Sequence, residues 1–165
     1  VFPVKFLSIR ERHRVLFGYD PFETMQIRRV HLRLRCEQEL KNMAIRLRRA
    51  LLSRAATPTA RVDMIRTFLA GFATVLRTML SMAGEEPAEG RLEVLKQAAR
   101  HFDLPEEMLD ALGELGWGTA PLPDDEALED LSHAFLKVVA RAAAVADRMP
   151  DSAAEDSDSG GEDEP

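Results

Sequence analysis

The sequence predicts a mainly α-helical bundle of four to five helices, with a short β segment at its N-terminus and a disordered acidic tail at its C-terminus. Three observations carry that prediction. Apolar residues recur at helical spacing through most of residues 27–148. Clusters of Gly and Pro cut that pattern into helix-sized pieces. The final segment, from 150 to 165, is built of Asp, Glu, Ser, Gly, Ala and Pro and has no large apolar side chain.

The elements follow in order. Residues 1–20 form a strand and turn segment. Phe2, Val4, Phe6 and Ser8 alternate with Pro3, Lys5 and Leu7, and the run Val15-Leu16-Phe17 closes on Gly18 and Tyr19-Asp20-Pro21. Two short strands here would need a larger sheet or a helix to lie on, because an isolated hairpin is marginal in water. The helical domain is expected over 21–149. Its first helix spans about 27–54, with Leu32, Cys36, Leu40, Met43, Leu47, Ala50 and Leu51 on one face. Pro58 ends it by disfavouring helical geometry at the residue before it. Thr59 is the expected N-cap of a second helix that runs to about Met82 and buries Val62, Ile65, Leu69, Phe72, Val75, Leu76 and Met79. Gly71, near that face, is expected to let a neighbouring helix come close.

Gly84-Glu85-Glu86-Pro87 makes the next break. A shorter helix covers 91–102. Asp103 is expected to cap a fourth, with Pro105 just inside it and Glu106 and Glu107 at the positive end of the helix dipole. A loop covers 116–123. The last helix runs from about Asp124 to Arg148, turning Leu128, Leu131, Phe135, Val138, Val139, Ala142 and Val145 inward. Beyond it, residues 150–165 cannot offset their ordering entropy by burial and are expected to be disordered.

At 165 residues the chain can hold one domain with a real core. No apolar run approaches the roughly 20 residues of a membrane span, and no secretory leader is read at the N-terminus. Cys36 is the only cysteine, which excludes an internal disulfide and a cysteine-rich zinc site. The expectation is a reducing compartment, most simply the cytoplasm. The net charge of −6 is unevenly spread. Residues 1–60 carry 13 Lys and Arg against 5 Asp and Glu, and the remainder carries 9 against 23. Such a split points to an anionic partner for the first half, or to a basic helix packed on an acidic one.

No phosphate-binding loop, dinucleotide fingerprint, metalloprotease helix or nucleophile elbow occurs. His13, His31, His101 and His133 are scattered, and the pairs Glu85/Glu86, Glu106/Glu107 and Asp124/Asp125 sit where helices start. The informative element is the first helix. Arg33, Glu37, Lys41 and Arg48 share one stripe, at spacings of four, four and seven. One reading is a solvated ladder of ion pairs. The other is a polar wall facing a substrate, with Arg33, Lys41 and Arg48 on phosphate and Glu37 as a base or metal-proximal acid. The arginines surround the helix without interleaved aromatic residues, which argues against direct nucleic-acid binding.

The run VFPVKFLSIRERHRVLFGYDPF followed by HLRLRCEQELKNMAIRLRRALL resembles the C-terminal part of a family of nucleotidyltransferase-domain proteins. There, a strand ends the catalytic sheet, a turn follows, and a long helix opens a helical domain. The matching residues are Phe2, Pro3, Phe6, Leu7, His13 to Leu16, Gly18, Asp20 and Pro21, then Leu32, Arg33, Cys36, Glu37, Glu39, Leu40 and Arg48. The segment LEVLKQAARHFDLPEEMLDAL resembles later helices of the same domain. Lys5 stands where the family's strand carries an acid, and Phe17 where its turn carries Tyr.

The resemblance implies a partner, a catalytic nucleotidyltransferase domain in cis or in trans. Its Gly-Ser and paired-Asp signature, absent from this sequence, would hold Mg²⁺ and the nucleoside triphosphate. Helical domains of this kind also resemble the HEPN group. None of the four histidines has an arginine at the spacing of that group's nucleases. The expected function is therefore that of a substrate-facing helical domain, inactive alone. The alternative is a non-catalytic helical interaction module that forms a homodimer.

Overall fold

A computed structural model describes residue 17, residues 28–52, 57–118 and 121–151. These residues form five helices and no strand: α1 (Arg29–Leu52), α2 (Pro58–Met82), α3 (Arg91–His101), α4 (Glu106–Trp117) and α5 (Asp125–Arg148). The β segment expected at 1–20 lies outside the described residues, apart from an exposed Phe17. No described helix is long and apolar enough to cross a membrane.

The spacing of apolar residues places each helix on the core. Leu32, Cys36, Leu40, Met43 and Leu47 recur every three or four positions and are all buried. Ile65, Leu69, Phe72, Leu76 and Met79 do the same on α2. On α5 the buried set includes Leu128, Phe135, Val138, Val139 and Ala142. Phe72 and Phe135 meet edge to face at 5.6 Å between centroids, near the middle of the bundle. Ser132 is fully buried but donates its hydroxyl to the Leu128 carbonyl at 2.7 Å, so no polar group is stranded there.

The helix ends set the topology. Arg61 at the start of α2 meets Asp125 at the start of α5 at 2.8 Å, so these two helices run parallel. The first turn of α1 meets the end of α5, so that pair is antiparallel. This α1–α5 contact is the most extensive in the fold, although the two helices lie at opposite ends of the described chain. Helix α2 is central and touches all the others, while α3 and α4 form an antiparallel hairpin packed on it.

Three boundaries differ from the sequence reading. The N-cap of α2 is Thr57, whose hydroxyl accepts from the Ala60 amide at 3.3 Å; Pro58 occupies the first turn and Thr59 lies inside the helix. The steric rule that stops a helix before proline holds Thr57 extended, at ψ 157°, which is the conformation a cap needs. Asp103 ends α3 and does not start α4. It adopts the left-handed conformation at φ 51°, and the next amide, Leu104, reaches back to the Ala99 carbonyl at 2.9 Å. Pro105 takes the N-cap position of α4. The α4 helix also continues through Gly116 to Trp117, where a loop was expected.

Helix packing is tight at Gly113 and ordinary at Gly71. A Cβ on Gly113 would come within 2.4 Å of the Leu92 side chain of α3, whereas at Gly71 it would only touch Met43 at 3.4 Å. Gly84 closes α2 at φ 85°, with the Glu85 amide bonded to the Leu80 carbonyl at 3.0 Å.

Candidate functional site

The stripe on α1 is real, and three of its four members come together. Residues four apart on a helix are neighbours. Glu37 therefore lies between Arg33 and Lys41. Its Oε2 faces the Arg33 guanidinium at 3.4 Å, and its Oε1 accepts from the Lys41 ammonium. The Arg33 and Glu37 side chains are only 13% and 14% exposed, far less than an ordinary surface ladder; Lys41 is 59% exposed and caps the group from the solvent side. Arg48 is exposed and stands apart, about 10 Å further along the axis at 1.5 Å per residue.

What shields Arg33 and Glu37 is the end of α5. Arg33 donates to the Asp147 carbonyl at 3.2 Å and pairs with the Asp151 carboxylate, and Arg29 donates to the Pro150 carbonyl at 3.1 Å. The last carbonyls of a helix lack partners within it and carry partial negative charge. Two arginines one helical turn apart on α1 supply donors and positive charge to the end of α5 and the residues after it. The hydrogen bond to Asp151 raises the Arg33 pKa above its ordinary value, with the charges of Asp151, Glu37 and Asp147 adding to it against some loss of hydration. Lys41 is raised as well, first by its hydrogen bond to Glu37 and then by that carboxylate's charge. Both groups are held as cations.

This geometry constrains the chemistry. Each Glu37 oxygen has a cation as its partner. The carboxylate orients two cations, and to act as a base it would have to leave one of them. The other chemical group on α1, Cys36, faces the core and is fully buried. Burial pushes its thiol up to about 12, with Glu39 adding to the effect, so it is not a nucleophile in the folded chain. Among the described residues no group of three or more His, Cys, Asp or Glu could hold a metal ion. These residues do not fit a magnesium site of their own.

Several other titratable groups have structural partners. Asp124 caps α5 through the Ala127 amide at 2.9 Å, and Glu106 pairs with Arg100 at 3.1 Å. Asp103 pairs with Arg141 of α5, tying the hairpin turn to the last helix. His101 lies 3.3 Å from Glu85 at the edge of a shallow cavity of 480 Å³ that also has Glu93, Lys96, Gln97 and Arg100 in its wall. Gln97 there bonds the Ala88 amide and the Glu86 carbonyl, each at 3.0 Å, and so holds the loop between α2 and α3.

The sequence reading missed the part played by Arg29, Pro150 and Asp151. Asp151 falls within the segment 150–165 that the sequence predicts to be disordered, and nothing local marks it as different from the acids that follow. The charge split between the two halves was the available signal: it allowed for a basic helix held by acidic partners inside the fold.

Comparison with protein-family models, with curated proteins and with solved structures gives no match.

Proposed function

We propose that this chain is the helical, substrate-facing domain of a nucleotidyltransferase-like protein. It would assist transfer of a nucleotidyl group from a nucleoside triphosphate when joined to its catalytic domain, and would be inactive alone. The observation that carries the reading is the half-sunken Arg33–Glu37–Lys41 group. It lies on the helix whose residues carry the family resemblance. The shared positions fall into two sets: Leu32, Cys36 and Leu40 enter the core, while Arg33 and Glu37 form the polar flank.

In this reading the flank is one wall of the cleft. Lys41, the exposed member, meets phosphate charge as it develops, and Arg33 supports it from behind. Glu37 is a positioning residue that keeps Lys41 in place. Magnesium and the triphosphate would be held by carboxylates of the catalytic domain. The test is Glu37→Ala in the protein joined to its catalytic domain. Turnover should fall roughly ten- to hundredfold, the size of a lost charge-assisted hydrogen bond, with the melting curve little changed and Glu37→Gln intermediate. Unchanged turnover removes the group from the cleft.

A second reading, a non-catalytic homodimerisation module, is favoured by one observation. Leu34, Ile45 and Leu52 are 41%, 51% and 75% exposed and lie on the same outward side of α1. Light scattering over a wide concentration range decides this reading, since a mass that stays at one chain removes it.

A further inference from the structure

The outward side of α1 is as basic as it is apolar. The helix carries seven Lys and Arg against two Glu. Glu37 is occupied by Arg33 and Lys41. Arg48 and Arg49 are exposed and have no ion-pair partner among the described residues. They stand beside Ile45 and Leu52, so apolar and cationic groups share this surface. A second copy packed on it through the same side would set these arginines against each other, which costs energy. An acidic segment meets no such penalty.

Such a segment starts at this helix. Asp147, Pro150 and Asp151 are already bound to Arg33 and Arg29, so the chain leaves α5 beside the first turn of α1. Residues 152–165 carry six further acids: Glu155, Asp156, Asp158, Glu162, Asp163 and Glu164. From Arg33 to Arg48 the distance along the axis is about 22 Å at 1.5 Å per residue. An extended chain of the length of 152–165 reaches roughly 45 Å at about 3.3 Å per residue. The acids therefore have the reach to pass Lys41 and arrive at Arg48 and Arg49.

We propose that residues 152–165 occupy the outward side of α1, anchored by Arg29 and Arg33 and drawn along it by Lys41, Arg48 and Arg49. The contact is intramolecular and electrostatic. It makes the acidic segment a competitor for any polyanion that approaches α1. The proposal stands without the nucleotidyltransferase reading and shares with it Arg33 and Lys41.

The test uses the full chain carrying a nitroxide on Ser159→Cys; buried Cys36 stays unlabelled. In dilute solution at low salt, amide signals of α1 around Lys41, Ile45 and Arg48 should broaden, and those of α3 and α4 should not. Molar salt, or Arg48→Gln with Arg49→Gln, should abolish the effect. Broadening spread evenly over the molecule, or indifferent to those substitutions, overturns the proposal. So does broadening of an isotope-labelled chain by the nitroxide of another chain, which would assign the surface to a second copy. With inorganic triphosphate as probe, deleting 152–165 should tighten binding roughly fivefold, the size of a few exposed ion pairs. An unchanged affinity also overturns it.

Discussion

The α3–α4 hairpin and the α1–α5 pair are both antiparallel helix pairs, yet they are closed by different means. In the hairpin the backbone does it: Asp103 turns at φ 51°, Leu104 reaches back to Ala99, and Pro105 opens the next helix within a few residues. In the α1–α5 pair the helices are far apart in sequence, and their common end is fastened by long side chains, Arg29 and Arg33, onto Asp147, Pro150 and Asp151. Local closure depends chiefly on dihedral angles, and the exposed Arg100–Glu106 and Asp103–Arg141 pairs add only a small salt-dependent part. Distant closure rests on burial along the helices and on charge at their ends, and only the second of these is screened by salt.

Truncations in the core probe this comparison with the largest effect. Leu40 on α1 and Leu95 on α3 are both fully buried. Leu40→Ala and Leu95→Ala should each cost about 2–5 kcal/mol. If the bundle is one cooperative unit, both lower a single denaturation midpoint. Two separate transitions in urea would show that the hairpin unfolds independently.

Alkaline pH probes the α1 side of the comparison. The Cys36 thiol is raised in the folded chain to about 12 from 9.0, so the folded state holds its proton more tightly than the unfolded state. The resulting stability is fully present below pH 9 and is lost as pH rises toward 12. Cys36→Ala should flatten the fall in stability between those values, as read by urea midpoints across that range. An equally steep fall in the variant would assign it to other groups.

The turn is the next smaller target. Asp103→Val places a β-branched residue at a left-handed position and should destabilise by about 1–2 kcal/mol, and most of that loss should persist in molar salt, where the exposed pair with Arg141 is already screened. Asp103→Gly keeps the turn but loses the pair with Arg141, so in molar salt, where that pair is screened, it should be neutral or stabilising, since glycine adopts the left-handed conformation freely. The smallest effect is expected for Arg33→Gln. Its loss of melting temperature should be measurable at low salt and should shrink in molar salt. A loss that persists would mean that packing, not charge, fastens the end of α5.

The same contrast explains what could be read in the sequence. The apolar periodicity of Leu32, Cys36, Leu40, Met43 and Leu47 located α1 and its buried face, because a helix repeats every 3.6 residues whatever it packs against. Asp124 was legible as the start of the last helix, where its side chain is the cap, because that signal depends only on its neighbours. Thr57 and Asp103 were misread because a cap and a stop can be written with the same residue types within two positions of each other. The Arg33–Glu37–Lys41 group was legible as a spacing. Its half-burial was not, because the cover comes from the end of α5, more than a hundred residues away.

The dominance of the α1–α5 contact also fixes an order of assembly. Closing a pair so distant in sequence requires ordering almost everything between, while the hairpin closes over a handful of residues. During synthesis, α1 emerges before α2 and long before α5. Its row of leucines has only α2 to lean on until the end of α5 leaves the ribosome. The nascent chain therefore carries a half-covered, arginine-rich amphipathic helix during the interval between synthesis of α2 and of α5. That is the interval in which a chaperone, or premature association, would act on it.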